Sequence, residues 1–218
     1  VRPTPAQWRP AALSALWTLV VATFGLCAFS LWSSQPITAF SVLAALRYFL
    51  AALVLVWWTG VFARVTLGEG LPETSGTLRA LRLTFPWLTA LRLSLWFLNV
   101  LALSGEGASE ASPVALTALL TVELGFILAK NAMYGTLARV AAAPLGNMGR
   151  LQLMSWLNAA AALNLAIGVV NVVPLAGMGG APNLPTTIIF AMHALLDVAA
   201  TLLAWKVVQL QKVPEAPM

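Results

Sequence analysis

The chain has 218 residues, 60% of them apolar and only 9% charged, where ordinary soluble domains carry about 25% charged residues. The apolar residues come in blocks rather than at scattered core positions, which excludes a soluble globular fold. A net charge of +5 would suit nucleic acid if the basic residues shared one soluble face; they do not, and no nucleic-acid partner is expected.

Six blocks approach or exceed the roughly 20 residues that cross the hydrocarbon core of a bilayer: 11–33, 38–63, 82–104, 113–134, 151–174 and 186–208. They predict an all-α, polytopic membrane helix bundle. It has six transmembrane helices in one integral membrane domain, 1–218, with the lipid bilayer as its first partner. The first ten residues hold three prolines and two arginines without an apolar core, and do not read as a signal peptide.

In the first span, Ser14, Thr18, Ala22 and Gly25 recur at helical spacing and predict a face that another helix approaches closely. Trp8 and Trp32 suit the membrane interfaces, and Trp17 is expected to be packed. Cys27 is the sole cysteine, so it makes no disulfide within the chain and reads as a small packing residue. The turn Ser33-Ser-Gln-Pro-Ile37 makes the first two spans a tight hairpin. The second span carries Arg47 and ends in Trp57-Trp58 and Arg64, an aromatic and basic stop. The third carries Pro86 near its start, Arg92 near its centre and Asn99. Pro113 opens the fourth at a favoured position, and Glu123, Lys130 and Asn131 follow along it. Asn164, Gly168 and Asn171 share a face of the fifth span, which gives way to the glycine- and proline-rich segment 174–182. His193, Asp197 and Thr201 lie four apart on the sixth.

Arg2 and Arg9 precede the first span. Arg64, Arg79 and Arg82 flank the second connection, Arg139 and Arg150 the fourth, and Lys206 and Lys212 mark the tail. The first, third and fifth connections hold no Lys or Arg, and the third holds Glu106 and Glu110. This alternation is what the positive-inside rule produces for six spans with both termini cytoplasmic, and it points to a bacterial-type inner membrane.

Arg47, Arg92, Glu123 and Asp197 are deep charges, each costing at least roughly 2.5–3.5 kcal/mol on insertion scales. Arg92 and Glu123, on consecutive antiparallel spans, are the expected pair, with Asp197 complementing Arg47 or sharing Arg92. Such charges either fix helix register or line a polar cavity for a charged or zwitterionic solute. Asn99, Asn131, Asn164 and Asn171 serve equally as interhelical bonds or as polar lining. The His193-to-Asp197 spacing resembles part of a lipid-phosphatase motif, but Thr186-Thr187 stand where that motif needs Ser-Arg and no second histidine exists. There is no metal cluster of the Cys/His type, serine elbow or phosphate loop, so no enzyme is expected. No cofactor is expected either; His193 leaves room for a single axial bond to haem or chlorophyll.

The run Leu43-Ala-Ala-Leu-Arg47-Tyr-Phe-Leu-Ala-Ala-Leu53 resembles the second-helix signature of the drug/metabolite transporter superfamily (EamA type). Phe24-Gly25 stands near that family's Trp-Gly, and Pro36 near its turn proline. Phe97-Leu-Asn-Val-Leu-Ala-Leu-Ser104, Ala108-Ser-Glu-Ala-Ser112 and Ala115-Leu-Thr-Ala-Leu-Leu120 resemble its third and fourth helices. The likeness covers about four spans, and the last two fit by position only. The family has ten helices in two inverted repeats, against six here, and Glu123 is unusual beside Val122, near which the family has a proline.

The resemblance implies a small-molecule transporter whose alternating access needs two repeats. A half-length chain would then act as a homo-oligomer, or pack as a non-catalytic subunit of a respiratory, photosynthetic or transport complex. A six-span substrate-capture component of a vitamin importer is a further alternative. An arginine shared across a family of varied substrates is architectural, which moves the functional expectation from Arg47 to Arg92 and Glu123.

Overall fold

The computed structural model describes residues 4–34, 36–104, 113–142, 145–172 and 184–211, without the side chains of 102–104, 113–116 and 170–172. Glu106, Glu110, Lys212 and the segment 174–182 lie outside them. The described residues form six helices and no strand: α1 (Pro5–Ser33), α2 (Ala39–Val65), α3 (Gly76–Ser104), α4 (Pro113–Val140), α5 (Asn147–Val172) and α6 (Leu184–Leu210). Four of them, α1, α2, α5 over Asn147–Val169, and α6, are long and apolar enough to cross a membrane.

Apolar side chains fill the core and also cover much of the outer surface. Large apolar side chains face outward on every helix, Trp32 at 76%, Leu83 at 65% and Met192 at 63% exposure, while Lys130 and Asp197 are buried. So much exposed apolar surface is consistent with a protein embedded in a membrane.

Each helix packs on its chain neighbours, and α6 returns to pack on α1. The six therefore close into a ring, with a smaller contact between α2 and α4 across it. One glycine eases the approach of α3 to this ring: a Cβ on Gly60 would stand 3.2 Å from Thr77 Cγ2.

At one end of the ring an arginine early in each odd-numbered helix caps an even-numbered one. The last carbonyls of a helix lack intrahelical donors and carry the negative end of its dipole. Arg9 of α1 donates to Ala63 O of α2 at 2.8 Å and to Thr66 Oγ1 at 3.2 Å. Arg82 of α3 donates to Ala138 O of α4 at 3.0 and 3.2 Å, and Arg150 of α5 to Gln209 O of α6 at 3.0 Å. Gln211 Nε2 donates to Val65 O at 3.0 Å and the Leu71 amide to Ala141 O at 2.7 Å. Beyond α2, Gly68 turns the chain with φ +81°, a conformation that suits glycine. Arg82 also pairs with Glu73 in that turn.

The fully packed core lies in the same half of the ring. It comprises Ala12 to Val20 of α1, Ala51 to Val65 of α2, Leu78 to Leu88 of α3, Ala129 to Ala138 of α4, Leu153 to Ala160 of α5 and Ala200 to Val208 of α6. Trp58 stacks on Phe62 at 5.0 Å between centroids, and both are buried.

Several expectations are corrected here. Trp58 is a core residue rather than an interfacial stop, and Trp17 is 46% exposed rather than packed. The stripe of Ser14, Thr18 and Gly25 faces outward, because Ala12, Leu16, Leu19 and Thr23 take the inner face of α1. Pro86 lies in the interior of α3, ten residues after Gly76, where it offers no N–H to the Arg82 carbonyl. α3 begins earlier and α4 ends later than their apolar blocks, since surface polar residues continue a helix as well as apolar ones do.

Candidate functional site: a charged cavity within the ring

In the other half of the ring the helices leave a cavity of about 390 Å³, lined from all six. On α4, Glu123, Phe126, Ile127, Lys130 and Tyr134 follow at the three- and four-residue steps that put side chains on one helix face. On α6, Phe190, His193, Ala194 and Asp197 do the same. α2 contributes Arg47, Tyr48, Ala51 and Leu55, and α1 contributes Leu19, Thr23 and Leu26. α3 supplies Arg92, and α5 supplies Asn164 and Ile167. The deep charges read from the sequence, Arg47, Arg92, Glu123 and Asp197, all reach this cavity, as do His193 and Asn164. Asn99 is half-buried on α3 outside the lining, and the side chain of Asn171 lies outside the described residues.

The pairing differs from expectation. Lys130 Nζ meets Asp197 Oδ1 at 2.7 Å, with both residues buried. Thr201 Oγ1 donates to the same oxygen at 3.1 Å. Asp197 is thus matched by Lys130, rather than by Arg47 or Arg92. Counting from the capped ends accounts for the match. Lys130 lies 10 residues before Val140 and Asp197 lies 13 before Leu210, roughly 15–20 Å from that surface at 1.5 Å per residue. Glu123 is two turns further along α4. That count was available in the sequence once the true helix ends were known.

The Arg92–Glu123 pair does not form. Arg92 Cζ instead stands 5.7 Å from the centre of the Phe126 ring, and Lys130 Nζ lies at the same distance from that ring, within cation–π range. Arg47 donates to Tyr48 Oη at 3.0 Å, with its Cζ 4.7 Å from that ring's centre. Among the described residues, neither arginine has a carboxylate in ion-pair contact, and Glu123 has no cation in such contact.

His193 Nε2 lies 3.0 Å from Thr23 Oγ1. The Thr23 hydroxyl gives its only proton to Leu19 O at 2.7 Å, so it accepts from His193. In the neutral ring this places the proton on Nε2 and leaves Nδ1 as the acceptor nitrogen. An axial bond from His193 to a haem or chlorophyll would have to use Nδ1 or displace Thr23. Among the described residues, Asn164 Nδ2 is buried without a hydrogen-bond partner.

No protein-family model, curated protein or solved structure matches this chain.

Proposed function

We propose that this is an integral protein of the cytoplasmic (inner) membrane whose cavity receives a small anionic solute for passage across the bilayer. The observation that carries the reading is that Arg47 and Arg92 line an intramembrane cavity and, among the described residues, have no carboxylate in ion-pair contact. Intramembrane charges of this kind mark solute pathways, and a bound anion offsets the cost of leaving them unpaired. All six helices cross in this reading, with both termini cytoplasmic. α3 and α4 carry most of the internal charge, but they turn Arg92, Glu123 and Lys130 into the cavity and keep Arg82 and Arg139 at the capped end.

The cavity is complete within one chain, so a second copy is not needed to form it. Kinship with drug/metabolite transporters then concerns the ancestry of the first four helices, and the two-repeat mechanism does not carry over. Coupling to protons would run through Glu123, since Asp197 is held by Lys130.

Uptake of radiolabelled carboxylates and amino acids into proteoliposomes tests the reading. Arg92→Gln and Arg47→Gln are expected to lower uptake of an accepted anion at least about tenfold, while Arg139→Gln at the capped end leaves it unchanged. Equal uptake by all three variants, each folded by its thermal transition, overturns the proposal. Uptake indifferent to Glu123→Gln removes proton coupling alone.

A second reading, a non-catalytic subunit of a larger membrane complex, is favoured by the small-residue face of Ser14, Thr18 and Gly25, which is exposed among the described residues. Purification from native membranes with mass spectrometry and an absorbance spectrum separates the two. A constant stoichiometric partner supports the subunit, and a chain recovered alone supports the carrier.

A further inference from the structure

The titratable and charged groups that face the cavity can be taken helix by helix. α1 and α5 contribute none, presenting Thr23 and Asn164. α2 presents Arg47 and Tyr48, α3 presents Arg92, α4 presents Glu123, Lys130 and Tyr134, and α6 presents His193 and Asp197. With tyrosines and His193 neutral and both carboxylates ionised, three cations stand against two anions, a lining of net charge +1. Net charge in a site surrounded by hydrocarbon is costly, and the cost is least when site and solute together sum to zero.

We infer that the cavity selects a solute of net charge −1 with an apolar body, such as an aromatic monocarboxylate, and that a doubly charged anion enters only with a proton. This rests on the anion-carrier reading and names its substrate class. The negative group belongs at Arg92, whose guanidinium stands over the Phe126 ring and makes no ion pair among the described residues, whereas Arg47 is already turned onto Tyr48. The body belongs against Leu26, Leu119, Ile167 and Phe190, the apolar part of the wall. A cavity of about 390 Å³ is at the small end of the range for ligand sites, which matches a solute of one ring. A dianion would bring the sum to −1. A proton taken from solvent onto the Glu123 carboxylate, or onto Nδ1 of His193, restores neutrality, and no bond other than that N–H or O–H is made.

The test keeps the body constant and varies the charge. Benzoate (−1), phthalate (−2 at pH 7) and benzyl alcohol (0) are titrated calorimetrically into the full chain in detergent, in two buffers of different ionisation heat. Benzoate is expected to bind with no net proton exchange, and benzyl alcohol at least about tenfold more weakly. Phthalate is expected to bind with uptake of close to one proton, its affinity falling about tenfold per pH unit as the pH rises. Arg92→Gln should abolish the preference for benzoate over benzyl alcohol, and Arg92→Lys should restore part of it, with thermal unfolding confirming that both variants are folded.

Phthalate bound more tightly than benzoate and without proton uptake overturns the charge rule but leaves the anion carrier standing. Benzyl alcohol bound as tightly as benzoate overturns both. If none of the three binds while carboxylate uptake into proteoliposomes persists, only the substrate class is overturned.

Discussion

At the scale of single residues, the Lys130–Asp197 contact decides most. A buried ion pair contributes little net stability relative to an apolar pair of the same size, but removing one partner strands the other charge, at a cost of about 3–5 kcal/mol. Lys130→Met is therefore expected to destabilise the protein by about that amount in a detergent unfolding titration. Lys130→Met with Asp197→Leu should recover most of the loss. A double variant no more stable than the single one would show that the pair is not coupled as the 2.7 Å contact implies.

Glu73 offers a separate test at the surface. Its hydrogen bond with Arg82 holds its carboxyl below the ordinary glutamate value. The folded state thus favours the ionised form. The stabilisation is fully present above the unfolded-state pKa, about 4.3, and is lost as the pH falls through the lower folded value. Glu73→Gln should flatten this part of the acid limb in a pH series of melting temperatures.

The positions of Arg47, Arg92, Glu123, Asp197 and His193 were legible in the sequence as charges or a histidine inside apolar blocks, and one cavity collects them. Their pairing was not legible. It depends on helix ends fixed by polar residues outside the apolar blocks, and on an aromatic ring, Phe126, that takes Arg92 away from Glu123.

At the scale of helices, the existence and order of all six helices were written in the hydrophobic blocks, and four of them are long and apolar enough to cross a membrane. Which face of each helix turns inward was less accessible. In α1 the small residues promised a close contact, yet the larger Leu16 and Leu19 fill the core, since a single chain gains more by packing bulk than by bringing backbones together. The caps left a trace in the sequence: Gly60-Val-Phe-Ala-Arg-Val65 recurs as Gly135-Thr-Leu-Ala-Arg-Val140, and in each copy the alanine carbonyl receives the neighbouring arginine. Arg150→Gln, which withdraws a charged donor from Gln209 O, is expected to cost about 1.5–3 kcal/mol. The same substitution at Arg139, which among the described residues makes a single 3.4 Å contact with Thr136, should cost less than about 0.5 kcal/mol. Equal losses, read from thermal unfolding of the two variants, would remove the special role given to the caps.

At the scale of the whole molecule, one half of the ring is packed solid and the other holds the cavity. In a Cys27→Ala background, Leu119→Cys is expected to react with a small water-soluble thiol reagent at least about tenfold faster than Leu137→Cys, which is fully buried. Blocking first from the outside and then from the inside of sealed vesicles reads which surface serves the cavity. Comparable labelling of the two positions would mean that the packed half opens as readily as the other.

The three arginine caps bear on how such a ring can be assembled. In the six-span reading proposed above, Arg9, Arg82 and Arg150 stand where their chain enters the bilayer, and charge keeps them at that surface while each hairpin inserts. The acceptors they need, the last carbonyls of the even-numbered helices, are exposed at that same surface. Closing the base of the ring therefore drags no guanidinium through hydrocarbon. Hairpins that have inserted separately can be latched together from the water side, one after another, by groups already waiting at the right level.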